Sequence, residues 1–163
     1  MLRRCTLMIG SLVLLAPMAL VAQQKTTGTY ATLPGDADEM DLPNDQILQQ
    51  SGYRMVVFAT NPASPLNNIS SHCTSATVAA GDGAVVSNSG FCYNMDAAGN
   101  GYSMWWQETE AGTSSCPTRC GQFGLYAGHG KFKGMTGMGT WRAGSVLADG
   151  TGMGTWELTS QKK

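Results

Sequence analysis

Long helical periodicity is missing from this chain, and so is any block of basic residues. Only 13% of the 163 residues are charged, and the bases are scattered singly or in pairs. A chain without a basic stripe has nothing with which to release counterions from DNA or RNA, so nucleic acid is excluded as a partner. Nucleophile systems are missing too. There is no Gly-x-Ser-x-Gly, and only His72 and His129 exist to serve as a base. The tract Gly128-His-Gly-Lys-Phe-Lys-Gly134 invites a phosphate-loop reading and fails it. The P-loop spacing requires glycine where Leu125 stands and Ser or Thr where Phe132 stands, and the dinucleotide pattern requires a third glycine where Lys133 stands. No cofactor pattern is left. Asp96-Ala-Ala-Gly-Asn-Gly101 lacks the alternating acids and final Glu of a calcium loop and reads as a hairpin turn. Without a Cys-x-x-Cys spacing, no zinc site or other metal site is expected either.

One long apolar run is present, at the start. Arg3 and Arg4 precede Thr6–Ala22, and a polar Gln-Gln-Lys-Thr-Thr stretch follows. This is the outline of a secretory signal peptide over residues 1–22, cleaved between Ala22 and Gln23, and it predicts a periplasmic or secreted protein with no stable membrane insertion after processing. An uncleaved anchor is the weaker reading, because the run falls short of a comfortable span. Loss of Arg3 and Arg4 leaves eight bases against 11 acids. Five of those acids (Asp36, Asp38, Glu39, Asp41, Asp45) share one stretch without a base. Residues 23–50 are therefore expected to be a polar, solvated, linker-like segment, with one further strand at 28–33 and one helical turn at 45–50.

Four cysteines remain after processing, an even number that favours disulfides in an exported chain. Asp82-Gly83 is a preferred two-residue hairpin turn. Counting outward from Gly81 opposite Ala84 brings Cys73 opposite Cys92, at roughly the 5.5 Å Cα separation of a hydrogen-bonded pair. Cys116 and Cys120 would close a small surface loop. In the same register His72 faces Tyr93 and shares a face with Phe91, Met95, Ala76 and Val78. That face is predicted to point inward and the disulfide outward.

Strand-like runs recur at Tyr53–Thr60, Ser71–Ala79, Ala84–Met95, Tyr102–Thr109, Gln122–Ala127, Met135–Ala143 and Thr151–Thr159, with turn signals between them. The expected class is all-β: a single antiparallel barrel of about eight strands, disulfide-stabilised, spanning residues 51–160. Thr-Gly-Met-Gly-Thr-Trp occurs twice, at 136–141 and 151–156, as the two strands of one hairpin. If its two Gly/Trp faces coincide, Trp141 covers Gly152 and Trp156 covers Gly137, a device that fills the gap left by a strand glycine. Trp105 and Trp106 point to opposite faces. Trp106 joins Tyr102, Met104 and Glu108. Tryptophans 106, 141 and 156 then either fill the core or line a lumen. Glu108 on that face would be expensive to bury unpaired and is a candidate catalytic group, with His72 as the second.

The stretch Leu125-Tyr-Ala-Gly-His-Gly-Lys-Phe-Lys-Gly-Met-Thr-Gly-Met-Gly-Thr-Trp141 resembles the glycine-rich strand–turn–strand signature of allene oxide cyclase-like and dirigent-like barrels. Asn61-Pro-Ala-Ser-Pro-Leu, His72-Cys73, Gly90-Phe-Cys-Tyr and Asp96-Ala-Ala-Gly-Asn-Gly resemble exported bacterial members of that group. The resemblance covers about residues 53–159. It implies an eight-stranded barrel with an apolar pocket and self-association as a homo-oligomer; plant cyclases of this fold guide a reactive fatty-acid epoxide into a ring chiefly by holding its shape. No catalytic residue carries over, because no matching motif holds one. The leading expectation is a barrel that binds a small apolar or amphipathic molecule through Trp106, Trp141, Trp156, Tyr93, Phe91 and His72, without covalent catalysis. The alternatives are a cyclase or isomerase using Glu108 or His72, and a cell-envelope interaction or inhibitor protein acting through its loops. Asn68-Ile-Ser70 is a glycosylation sequon expected to be unused.

Overall fold

The computed structural model describes residues 23–109, 116 and 118–163, so the expected signal segment 1–22 lies outside the described residues. Eight antiparallel strands run in chain order around one closed barrel: β1 (Gln24–Leu42), β2 (Gln46–Ala59), β3 (Ile69–Ala80), β4 (Val85–Met95), β5 (Gly101–Thr109), β6 (Cys120–Gly128), β7 (Met135–Val146) and β8 (Gly152–Lys162). Pairing of β8 with β1 closes the barrel and removes both sheet edges over most of its height.

The linker expected over 23–50 is instead strand. The acidic stretch forms the outer half of β1, paired to β2 from Gly28 out to Leu42. The reversal between them places Asn44 and Asp45 at φ of 64° and 54°, a left-handed conformation that Asn and Asp tolerate through local side-chain hydrogen bonding. This tight turn sends the chain into β2 where a helical turn was expected. Pairing of β1 with β8 stops at Thr32, so Leu33–Leu42 overhangs the barrel with a neighbour on one side only.

Cys73 and Cys92 are directly opposed and bonded, with Cα atoms 4.0 Å apart. That spacing is closer than the 5.5 Å of a hydrogen-bonded pair and nearer to that of a non-hydrogen-bonded one. The turn differs from the expected one. Ala80 pairs with Ala84 around three residues, and an irregularity between Val78 and Ala79 then adds one residue on β4. The two offsets cancel, and the register outside the turn is the expected one. Cys116 and Cys120 form the second disulfide.

The repeated segments do form a hairpin, β7 and β8, but in a different register. Trp141 faces Trp156 directly, because the turn is the short Leu147–Thr151 connection and the strands run on to it. Each tryptophan instead covers a glycine on its other side. A Cβ built at Gly28 on β1 would lie 2.6 Å from the Trp156 ring, and one at Gly121 on β6 would lie 2.6 Å from Trp141. Trp106 sits the same way over Gly90 on β4, at 2.8 Å. Three inward tryptophans thus occupy space that three glycines vacate, which is how a small barrel packs large rings and still curves.

One end is sealed. Phe132, on the 3-10 turn Gly130–Phe132 of the glycine-rich tract, is 0% exposed and packs edge-to-face on Tyr102 with ring centres 4.9 Å apart. Leu66 and Ile69 close the same end from the β2–β3 side. Asp96 ties its turn together by accepting from Ala98 N and Asn100, and it pairs with Lys131 at 2.9 Å. Those hydrogen bonds hold its carboxyl well below the usual carboxylate range, the Lys131 contact contributing most.

Candidate functional site

The barrel is hollow above that plug. A cavity of about 470 Å³ opens at the end carrying the β1–β2, β3–β4 and β7–β8 turns. Its lower chamber is apolar, walled by Met55, Val57, Phe123, Leu125 and Leu158. Trp106, Trp141 and Trp156 all line it, as do Tyr30, Tyr53 and Tyr102. Tyr53, Trp106 and Trp141 run as a chain of edge-to-face rings, with centres 6.4 and 6.1 Å apart. Trp156 Nε1 donates to the Thr29 carbonyl at 3.1 Å, whereas the indole N–H groups of Trp106 and Trp141 are buried without a hydrogen-bond partner among the described residues.

Toward the mouth, one wall turns polar. Ser51 Oγ and Ser75 Oγ share a hydrogen bond at 2.6 Å, and Thr77 Oγ1 donates to Asn88 Oδ1 at 3.0 Å. Asn88 Nδ2 donates to Glu108 Oε2 at 2.8 Å. Arg119 grips the same carboxylate with both edges, Nε to Oε1 at 2.8 Å and Nη2 to Oε2 at 2.7 Å. Glu108 lies on the inward face of β5 with its side chain only 8% exposed, while Arg119 is 54% exposed at the rim. Burial pushes the Glu108 pKa up, but hydrogen bonds from Arg119 and Asn88 outweigh it, and the group stays below its ordinary value. Arg119 is pinned from behind. The Cys116–Cys120 bridge closes a ring around it, and its carbonyl accepts from Ala143 N at 2.8 Å.

The phenols respond to the apolar chamber. Burial drives the Tyr30 pKa up to about 12, and burial raises Tyr53 and Tyr102 as well. Tyr30 donates to the Arg142 carbonyl at 3.4 Å, but the hydroxyls of Tyr53 and Tyr102 have no partner among the described residues. A phenol of this kind can donate one hydrogen bond and accept others.

Three of the expected site residues lie elsewhere. His72 and its face point outward: Phe91 is 60% exposed, Tyr93 44% and Met95 39%, and His72 is exposed beside them. The disulfide lies inward, each cysteine 3% exposed and Cys92 in the cavity wall. The reason is room. On the concave side of β4 the Trp106 ring already covers Gly90, so only small side chains fit beside it, Cys92 and Asn94 on β4 and Ser71, Cys73 and Ser75 on adjoining β3, and aromatic rings do not. The buried polar pair is satisfied, since Ser71 donates to Asn94 and Asn94 Nδ2 donates to the Cys92 and Tyr102 carbonyls. His129 is exposed, stacked on Tyr93 with ring centres 6.3 Å apart. Tyr30, Tyr53, Asn88 and Arg119 were not foreseen. Tyr30 had a signal, because it shares the parity of Gly28 on a strand ending at the barrel seam. Arg119 had a weaker one, its place inside the Cys116–Cys120 loop.

Comparison with known proteins bears on the fold. No protein-family model matches the chain, and no curated protein matches it. Among solved structures, the barrel is similar to the pterocarpan synthase dirigent protein GePTS1, with a TM-score of 0.51 and 11% identity over 86% of this chain and 87% of that one. The chain is a closed eight-stranded antiparallel barrel similar in fold to that dirigent protein, and at this identity the likeness speaks for the fold alone. Among the described residues, no helix is long and apolar enough to cross a membrane and no group of side chains is arranged to hold a metal ion.

Proposed function

We propose that this barrel binds a small apolar or amphipathic molecule in its lumen, without covalent catalysis. The observation that carries the reading is the open cavity of about 470 Å³, apolar below and polar on one side of its mouth. Its size falls in the range of small-molecule sites, and a chain built only for stability would fill such a space. Two disulfides support residence in an oxidising compartment, periplasmic or secreted. The test is a titration with a neutral fluorescent naphthylamine, read against Ala143→Phe, which places a ring in the cavity wall. The expected result is saturable one-to-one binding that the variant abolishes with its unfolding midpoint within a few degrees of the parent. Absence of binding, or equal binding by both proteins, refutes the reading.

A second reading, guidance of a reactive intermediate by a cyclase or isomerase, is favoured by Glu108. Its carboxylate faces inward and is kept ionised by Arg119 and Asn88. Such a group suits steadying a developing positive charge better than donating a proton. His72, on the outer wall, drops out of this reading. Glu108→Gln should then abolish turnover while leaving binding of the neutral probe intact.

A further inference from the structure

Charge along the barrel axis is sorted by end. The chain's lysines, Lys25, Lys131, Lys133, Lys162 and Lys163, lie at strand ends or turns of the sealed end, where among the described residues only Asp96 and Glu157 oppose them. The open end carries the acids. Asp36, Asp38, Glu39 and Asp41 line the β1 overhang, and Asp45, Asp82 and Asp149 each sit in a turn. Among the described residues the cations toward this end are Arg119, already matched by Glu108, and Arg54 and Arg142, both exposed on strands whose neighbouring residues line the cavity. Several of these acids adjoin the cavity mouth. Gln49, in the cavity wall, donates to Glu39 at 3.0 Å. Asp149 precedes Gly150 and Asp36 lies two residues beyond Pro34, and Gly150 and Pro34 both line the mouth.

We propose that the lumen selects a cationic amphiphile, with an apolar body in the lower chamber and an ammonium head at the mouth. The choice of class rests on the lumen-binding reading above and adds the sign of the ligand. Three features act together. A cavity opening through a rim of one sign concentrates ions of the other sign and raises their rate of arrival. The Tyr53–Trp106–Trp141 ring chain offers π surface on its cavity side to a cation seated above it. The polar belt supplies acceptors, Ser51, Ser75 and the free carbonyl oxygen of Gln49, with no unmatched cation among the lining residues to repel the head. An anionic head would meet the rim acids and the Glu108 carboxylate, and the one guanidinium within reach is engaged at both edges.

The experiment titrates intrinsic tryptophan fluorescence with octyltrimethylammonium, octyl sulfate and 1-octanol, each below its micellar range. In about 20 mM salt the cation should bind at least about 10-fold more tightly than the anion, and in about 0.5 M salt the ratio should shrink to about 3-fold as the Debye length contracts. The isosteric variant Asp36→Asn/Asp38→Asn/Glu39→Gln/Asp149→Asn should show the small ratio already in low salt and bind octanol as the parent does, which also reports an intact barrel. An anion that binds as well as the cation, or a variant that keeps the full ratio, overturns the proposal. Octanol binding without charge preference overturns the cationic selection and leaves the lumen-binding reading standing. Failure of all three probes removes both.

Discussion

Alanine at Gly28 tests whether glycine–tryptophan seating holds the barrel closed. The new methyl would stand 2.6 Å from Cζ2 and 2.7 Å from Cε2 of Trp156, and it would also meet the Phe58 carbonyl oxygen. Carbon atoms settle at about 3.5–4.0 Å, so the ring must retreat by about 1 Å or β1 must shift away from β2. Overpacking of this kind costs about 1–3 kcal/mol. Retreat of the ring also breaks the Trp156 Nε1 bond to Thr29, worth about 1 kcal/mol. The sum, about 2–4 kcal/mol, corresponds to a midpoint lowered by about 8–15 °C in a domain of this size. The matched control is Gly52→Ala on neighbouring β2, where a built Cβ meets nothing within 4 Å and the backbone is not left-handed. That change should stay within about 0.5 kcal/mol. Thermal unfolding followed by near-ultraviolet circular dichroism reads both variants through the tryptophans themselves. Equal midpoints for the two alanines would refute the seating argument, because the substitution is identical and only the surroundings differ.

Two further predictions concern titration. The Glu108 pKa in the fold lies below its ordinary value of 4.5, so its pairing adds stability above that value and loses it as pH falls through the folded pKa. Glu108→Gln should therefore flatten the acid limb of stability against pH, measured by urea midpoints, by only about 1 kcal/mol, since Arg119 is half-exposed and screened. An unchanged acid limb would remove Glu108 from the account. Tyr30, held at about 12 by burial, and the likewise raised Tyr53 and Tyr102 add stability below their unfolded value of 10.0 that is lost as pH rises through their folded values. At about pH 11 phenolate absorbance should leave at least three of the chain's five tyrosines silent in the folded protein and count all five in guanidinium.

Much of the architecture was legible because strand parity and turn chemistry are local. The all-β class, the two disulfides, and the sharing of one face by Tyr102, Met104, Trp106 and Glu108 follow from alternation and spacing alone. The acidic stretch was misread for a physical reason. A strand paired on one side at a solvated rim needs no apolar face, so Asp36–Asp41 has the composition of a linker and the hydrogen bonding of a ladder.

What the sequence determined by itself was which residues share a face. The tertiary structure decided which face is inside. Alternation divides β3 and β4 into an aromatic set (Phe91, Tyr93, Met95) and a small polar set (Ser71, Cys73, Asn94), and a hydrophobicity rule sends the first inward. Barrel closure reverses it, because Trp106 from β5 already fills the concave space over Gly90, and only small side chains fit beside it. The short turn sets the hairpin register, and closure then seats each repeat tryptophan on a third strand's glycine and not on its twin's. The cavity mouth belongs to the same level of structure. Glu108, Asn88 and Arg119 are far apart in the chain and meet only when β4, β5 and the Cys116–Cys120 loop converge at one rim.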